Sequence, residues 1–205
     1  MDGLANLPDE RLVSLSRDGV LDAFNSLVER HQSAVYSLCL RLLGDPQAAE
    51  DAAQESFIAA YRGLSGFGGG NLRGWLLRIA ANESKDELRR RKRRGPADSL
   101  NEMFDAEDAP LEVAGNDPPS DLVVQRNEIA AALQAALLRL PFDQRQAVVL
   151  CDYHGFHYEE VASMTSASVG TVKSRIHRGR ERLRSILSEN PELFPQSGRL
   201  EGREE

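Results

Sequence analysis

The stretch FGGGNLRGWLLRIAANESKDELRRRKRR, Phe67 to Arg94, sets a glycine loop, aromatic rings and amide side chains ahead of a dense basic run. Separating the strands of a duplex calls for such parts. Rings and apolar groups receive unstacked bases, amides hydrogen-bond a base that has left the stack, and guanidinium groups track phosphates. A second stretch, SVGTVKSRIHRGRERLR from Ser168 to Arg184, packs six Lys or Arg into 17 residues. Val169, Val172, Ile176, Leu183 and Leu187 form one apolar stripe there, and Lys173, Arg175, Arg178, Arg180, Arg182 and Arg184 cover much of the rest. The short segment YEEVASM lies just before it across a tight turn, with Ser168 placed to cap. A bracing helix, a turn and a helix apolar on one side and basic on the other make a helix-turn-helix, which turns Lys173, Ser174, Arg175 and Arg178 toward a groove.

Each stretch also has a plainer reading. The second is equally a solvated basic face. In the first, Trp75, Leu76 and Ile79 fit a buried stripe, and Arg89 to Arg94 resembles a localisation signal. A third cluster, Cys151, His154 and His157 at three-residue spacing, has the donors for a metal. With three ligands only, and Gly155 ending the helix, the expectation is a small core Cys and two surface His, with no metal. There is no P-loop, no dinucleotide fingerprint and no Ser-His-Asp set, so no catalytic residue, cofactor or enzymatic activity is predicted.

The 205-residue chain carries a formal net charge of −7, but the charge is segregated. Asn71 to Gly95 holds nine basic and three acidic residues, and Val169 to Arg184 six basic and one acidic. Between them, Pro96 to Glu128 holds nine acidic and one basic. Two basic patches about an acidic stretch suit two nucleic-acid contacts. Two cysteines are too few for a disulfide scaffold, no apolar run is long enough to enter a membrane, and the first residues lack a signal-peptide pattern. The expected location is the cytoplasm.

Helical periodicity dominates. AFNSLVERHQSAVYSLCLRLLG reads as an amphipathic helix stopped by Gly44; Asp45 caps the next, with Pro46 in its first turn. A third starts near Leu72. After a proline-rich acidic stretch the pattern resumes at Asp121, and no strand is predicted. The fold class is all-α: two small helical domains joined by an extended acidic linker. The divisions are a lead-in 1–21, a first domain 22–95, a linker 96–120, a second domain 121–187, and a tail 188–205 expected to be disordered.

These residues also carry a resemblance. GTVKSRIHRGRERLR is similar to region four of the extracytoplasmic-function (ECF) sigma factors. In the turn before it, Thr165 and Ser166 stand at the usual Leu-Gly positions. The absent glycine strains the turn if a left-handed residue is needed. Phe67, Trp75, Leu76, Ile79, Ala80, Asn82, Asp86, Arg89 and Arg90 match region two. Asp51, Gln54, Glu55 and Phe57 match the D-x-x-Q-E-x-F pattern of its polymerase-docking helix.

The resemblance implies recognition and melting of a promoter minus-ten element through Phe67, Asn71, Leu72, Arg73, Trp75, Arg78, Asn82, Lys85, Arg89 and Arg90. It implies minus-thirty-five contacts through Ser168, Thr171, Lys173, Ser174, Arg175, His177 and Arg178. The implied partners are bacterial RNA polymerase core (its β′ clamp helices and β flap), promoter DNA and an anti-sigma factor. A stand-alone helix-turn-helix transcriptional regulator is the alternative reading of the chain, and an acidic adaptor that binds no DNA is a third.

Overall fold

A computed structural model of the chain describes Leu4, residues 6–94 and residues 121–194; the acidic linker expected over 96–120 and the tail beyond 194 lie outside the described residues. Among the described residues there are eight α-helices and no strand. In chain order they are α1 (Asp9–Arg17), α2 (Leu21–Leu43), α3 (Pro46–Gly63), α4 (Leu72–Arg94), α5 (Asp121–Leu138), α6 (Phe142–Val148), α7 (Tyr158–Thr165) and α8 (Val169–Leu187).

Local chemistry explains the boundaries. Gly44 ends α2 with φ of 78°, and its N–H donates to the Leu40 carbonyl. This is a left-handed cap that residues with a Cβ adopt only with strain. Asp45 then accepts from the Ala48 N–H at 3.2 Å, with Pro46 at the first helical position, so α3 begins at once. The buried face of α3 is made of Ala48, Ala49, Ala52, Ala53, Ser56 and Ala60, small enough to let α2 and α4 lie close. Leu12, Leu27, Val35, Leu38, Leu42, Leu76 and Leu77 fill the space among the four N-terminal helices.

The lead-in holds a helix that sequence reading does not contain. Leu12 and Val13 of α1 are buried, and Arg17 donates to the carbonyls of Leu64 (3.1 Å) and Phe67, tying α1 to the glycine loop. At the other end, the start of the expected tail continues as turns, and Arg139 pairs with Glu189 at 2.8 Å.

In the second domain α6 and α8 pack at Gly179, where an added Cβ would sit 2.6 Å from Val148 Cγ2. Val172 and Ile176 carry the apolar stripe of α8 into this core. Helix α6 runs into a π-helical turn, Val149–Tyr153, whose extra residue per turn shifts the phase of the residues that follow.

Candidate nucleic-acid interface

Asn71 starts the first surface. Its side-chain Oδ1 accepts from the Gly74 N–H at 2.9 Å and caps α4. Gly69 and Gly70, with φ of 91° and 87°, give the loop before it a path that other residues take only at a cost. Trp75 is half-buried, its ring 5.1 Å from that of Phe67. Phe67 and Leu72, expected from the resemblance to take part at the minus-ten element, are 9% and 4% exposed and form the floor beneath the loop. Arg78, Asn82, Arg89 and Arg90 are exposed along α4, while Arg73 and Lys85 are half-buried. The basic run carries its own counter-charges. Arg89 pairs with Asp86 at 2.8 Å, Arg90 with Glu87 at 3.5 Å, and Arg91 bridges Glu87 and Asp45.

On α8, Ser168 Oγ accepts from the Thr171 N–H at 3.1 Å, so the cap read from sequence is present. Ser166 sits at φ 52°, ψ 40°, the left-handed conformation the family pattern meets with glycine. Thr171, Lys173, His177 and Arg178 are exposed near the N-terminal half of the helix, with Ser174 partly covered. Arg180 turns away from them to Asp152 at 3.0 Å, whose carboxylate holds the guanidinium above its ordinary pKa. Arg175 is half-buried and pairs with Asp143 at 3.0 Å.

A third surface lies on α3. Asp51, Gln54 and Glu55 are exposed and Phe57 is half-buried. Ile58 and Tyr61, 42% and 45% exposed, extend it with apolar area that sequence reasoning missed. The signal was there: a helix whose buried face is alanine must turn its large residues outward.

The structure also brings the two domains together, which periodicity could not announce. Gln134 of α5 donates to the Leu40 carbonyl at 3.1 Å, and the buried Arg145 of α6 donates to that of Leu42. Both carbonyls lie in the last turn of α2, where that of Leu40 also accepts from the Gly44 N–H. Lys85 and Arg175, one from each basic helix, meet the same carboxylate, Asp143, at 3.4 Å and 3.0 Å. Beside them Arg78, Asn82 and Gln146 help line a polar cavity of about 120 Å³. Asn71 donates to Glu160 at 3.1 Å.

Arg73 donates to the His154 carbonyl at 3.0 Å and approaches His154 Nδ1 at 3.2 Å. The expectation that His154 is a surface residue is thereby corrected: it is 7% exposed, carried inward by the π-turn. Burial, then Arg73 and Arg41, push its pKa down to about 4. Cys151 is partly buried and His157 exposed, and no group of three or more His, Cys, Asp or Glu among the described residues could hold a metal. No helix among them is long and apolar enough to cross a membrane.

Comparison with known proteins places these surfaces in a family. Residues 27–94 match the model of Sigma-70 region 2, and residues 130–183 that of Sigma-70, region 4. The chain is 39% identical over 177 residues to the ECF RNA polymerase sigma factor SigE of Mycolicibacterium smegmatis, covering 86% of this chain and 66% of that protein. It is also 39% identical over 184 residues to the RNA polymerase sigma-H factor of Pseudomonas aeruginosa, covering 87% of this chain and 93% of that one. Among solved structures, the sigma factor RpoE in complex with the anti-sigma factor NepR from Bartonella quintana matches with a TM-score of 0.60 and 27% identity, over 82% of this chain and 98% of that one.

Proposed function

The chain belongs to the ECF sigma factors, and from that premise we propose that it guides bacterial RNA polymerase core to promoters through the three surfaces above. The carrying observation is the loop and first turns of α4. A tryptophan is held half-exposed on a buried floor of Phe67 and Leu72, with Arg78 and Asn82 exposed one and two turns on. A protein that only binds closed duplex has no use for that arrangement. In this reading Asn71, Arg73, Trp75, Arg78, Asn82 and Lys85 take up the opened minus-ten strand, and Arg89 and Arg90 follow its phosphates.

Ser168, Thr171, Lys173, Ser174, Arg175, His177 and Arg178 meet the minus-thirty-five duplex, where base edges and phosphates are both within reach of a helix in the major groove. Asp51, Gln54, Glu55 and the apolar residues beside them dock on the polymerase β′ clamp helices, and the second domain engages the β flap. An anti-sigma factor is the expected inhibitor, as in the NepR complex of the Bartonella protein. The protein makes and breaks no covalent bond, and its place of action is the cytoplasm.

The test is reconstituted transcription with core polymerase and a random-promoter pool. Start sites sharing two upstream elements are expected. Trp75→Ala with Asn82→Ala should remove open-complex formation and leave polymerase association intact, whereas Asp51→Lys with Glu55→Lys should remove association. Enriched DNA binding without protein-dependent initiation would instead establish the stand-alone regulator.

A further inference from the structure

The contacts that bring the domains together fall on the strand-opening surface itself. Asn71, Arg73 and Lys85 are each engaged by the second domain, through Glu160, His154 and Asp143. His154 is the least replaceable of the three. A guanidinium nitrogen has no lone pair to offer, so the 3.2 Å approach of Arg73 Nη2 to Nδ1 requires Nδ1 to accept and the ring to be neutral. The other ring nitrogen, Nε2, is buried with no hydrogen-bond partner. A proton on Nδ1 would set N–H against N–H, and a charged ring would stand between two cations with no carboxylate to receive Nε2–H.

We propose that His154 is the acid-labile catch of a clasp: while neutral it helps hold the second domain over the strand-opening surface, and protonation of its ring releases Arg73 and lets the domains part. The groups facing the ring are Arg73 from α4, Arg41 from α2 and the neighbouring Tyr153, whose ring lies 3.7 Å beneath the Arg41 guanidinium. Phe156 adds an apolar wall, with Arg73 5.0 Å above its ring. The carboxylates nearby are already engaged: Asp152 by Arg180, and Glu160 by Asn71 and the His157 N–H.

The sign follows from the direction of the shift. Closure favours the uncharged ring, so its contribution is complete above the ordinary histidine value of 6.5 and is lost as pH falls toward about 4. Between pH 7.5 and 5 those two values reduce the ratio of closed to open chain on the order of 25-fold. The clasp does not depend on the sigma-factor reading; only its consequence, masking of the minus-ten surface, rests on that.

Small-angle X-ray scattering of the full chain from pH 7.5 to 5, with far-UV circular dichroism to follow helix content, measures opening without DNA or polymerase. The expected result is expansion on acidification at unchanged helicity. His154→Gln, whose amide oxygen accepts from Arg73 and binds no proton in this range, should stay compact throughout. Asp143→Asn removes a different contact, so it should open more readily at every pH and keep the acid step. NMR titration of the His154 ring should place its pKa well below 6.5. Expansion that persists in His154→Gln would assign the step to carboxylates and overturn the proposal. A wild-type chain with no acid expansion, or a His154 that titrates at its ordinary value, would overturn it too.

Discussion

Gly44 carries two separable demands, and substituting it tests whether the domains meet in solution. At φ 78° an alanine is held in the left-handed region, which costs about 1–2 kcal/mol. Its Cβ would also lie 2.3 Å and 2.8 Å from the two terminal carbons of Leu138, across the junction with α5. Ordinary carbon contacts are nearer 3.5–4 Å, so Leu138 must move by more than 1 Å. That side chain is 37% exposed and can rotate, which limits the steric cost to about 1–2 kcal/mol. Gly44→Ala should therefore destabilise by about 2–4 kcal/mol in total. In a Leu138→Ala background the steric half disappears and only the backbone half remains, a coupling of about 1–2 kcal/mol. Denaturant unfolding read by Trp75, the single tryptophan, reports this from within the first domain. Equal costs in both backgrounds would mean that Gly44 and Leu138 do not touch, and would refute the packing of α5 on α2.

Ser166→Gly relieves the left-handed turn before α8 and should raise the melting temperature, with a gain of about 1 kcal/mol; an unchanged or lower value would place the strain elsewhere. Gly179→Leu drives a branched side chain into Val148 and should cost about 2–3 kcal/mol, read as a loss of second-domain melting and of duplex binding together. Asp45→Ala removes the cap of α3 and should cost about 1 kcal/mol in unfolding. Burial alone would raise the Asp45 pKa, but the hydrogen bonds from Arg91 and the Ala48 N–H outweigh it, leaving the carboxyl below its ordinary value of 3.8. Its contribution is therefore present above that value and lost as acid protonates it, so the wild-type and Asp45→Ala stabilities should converge below it.

Boundaries written in residue chemistry were legible. The Gly44-Asp45-Pro46 run names a helix stop, a cap and a start, and Ser168 caps α8 as its position suggested. The Val172 and Ile176 stripe and the exposed Lys173 and Arg178 followed from a 3.6-residue period. What that period assumes is also where the reading failed. The π-turn over Val149–Tyr153 breaks the phase, and His154 came out buried instead of exposed. Helix α1 is short, begins after Pro8 without a side-chain cap, and gains its order from α2 and the glycine loop, none of which a local pattern records. The resemblance implied minus-ten roles for Phe67 and Leu72, and it carried no record of the core beneath the loop that holds both side chains. The domain junction was invisible because it joins side chains such as Gln134 and Arg145 to backbone carbonyls about a hundred residues away.

Those borrowed carbonyls give the last turn of α2 a double allegiance. Its own first domain supplies the helix, while the second adds Gln134 as a further donor to the Leu40 oxygen and Arg145 as a donor to that of Leu42. Parting the domains hands both oxygens to water, and water pulls carbonyls outward where neighbouring backbone bonds are weakest. Fraying of that turn and separation of the domains thus become one event. The Gly44 amide, bonded to the Leu40 carbonyl, becomes a natural hydrogen-exchange probe of it. Its protection should follow the opening of the whole molecule, while amides deep in α2 keep the slower rate of global unfolding.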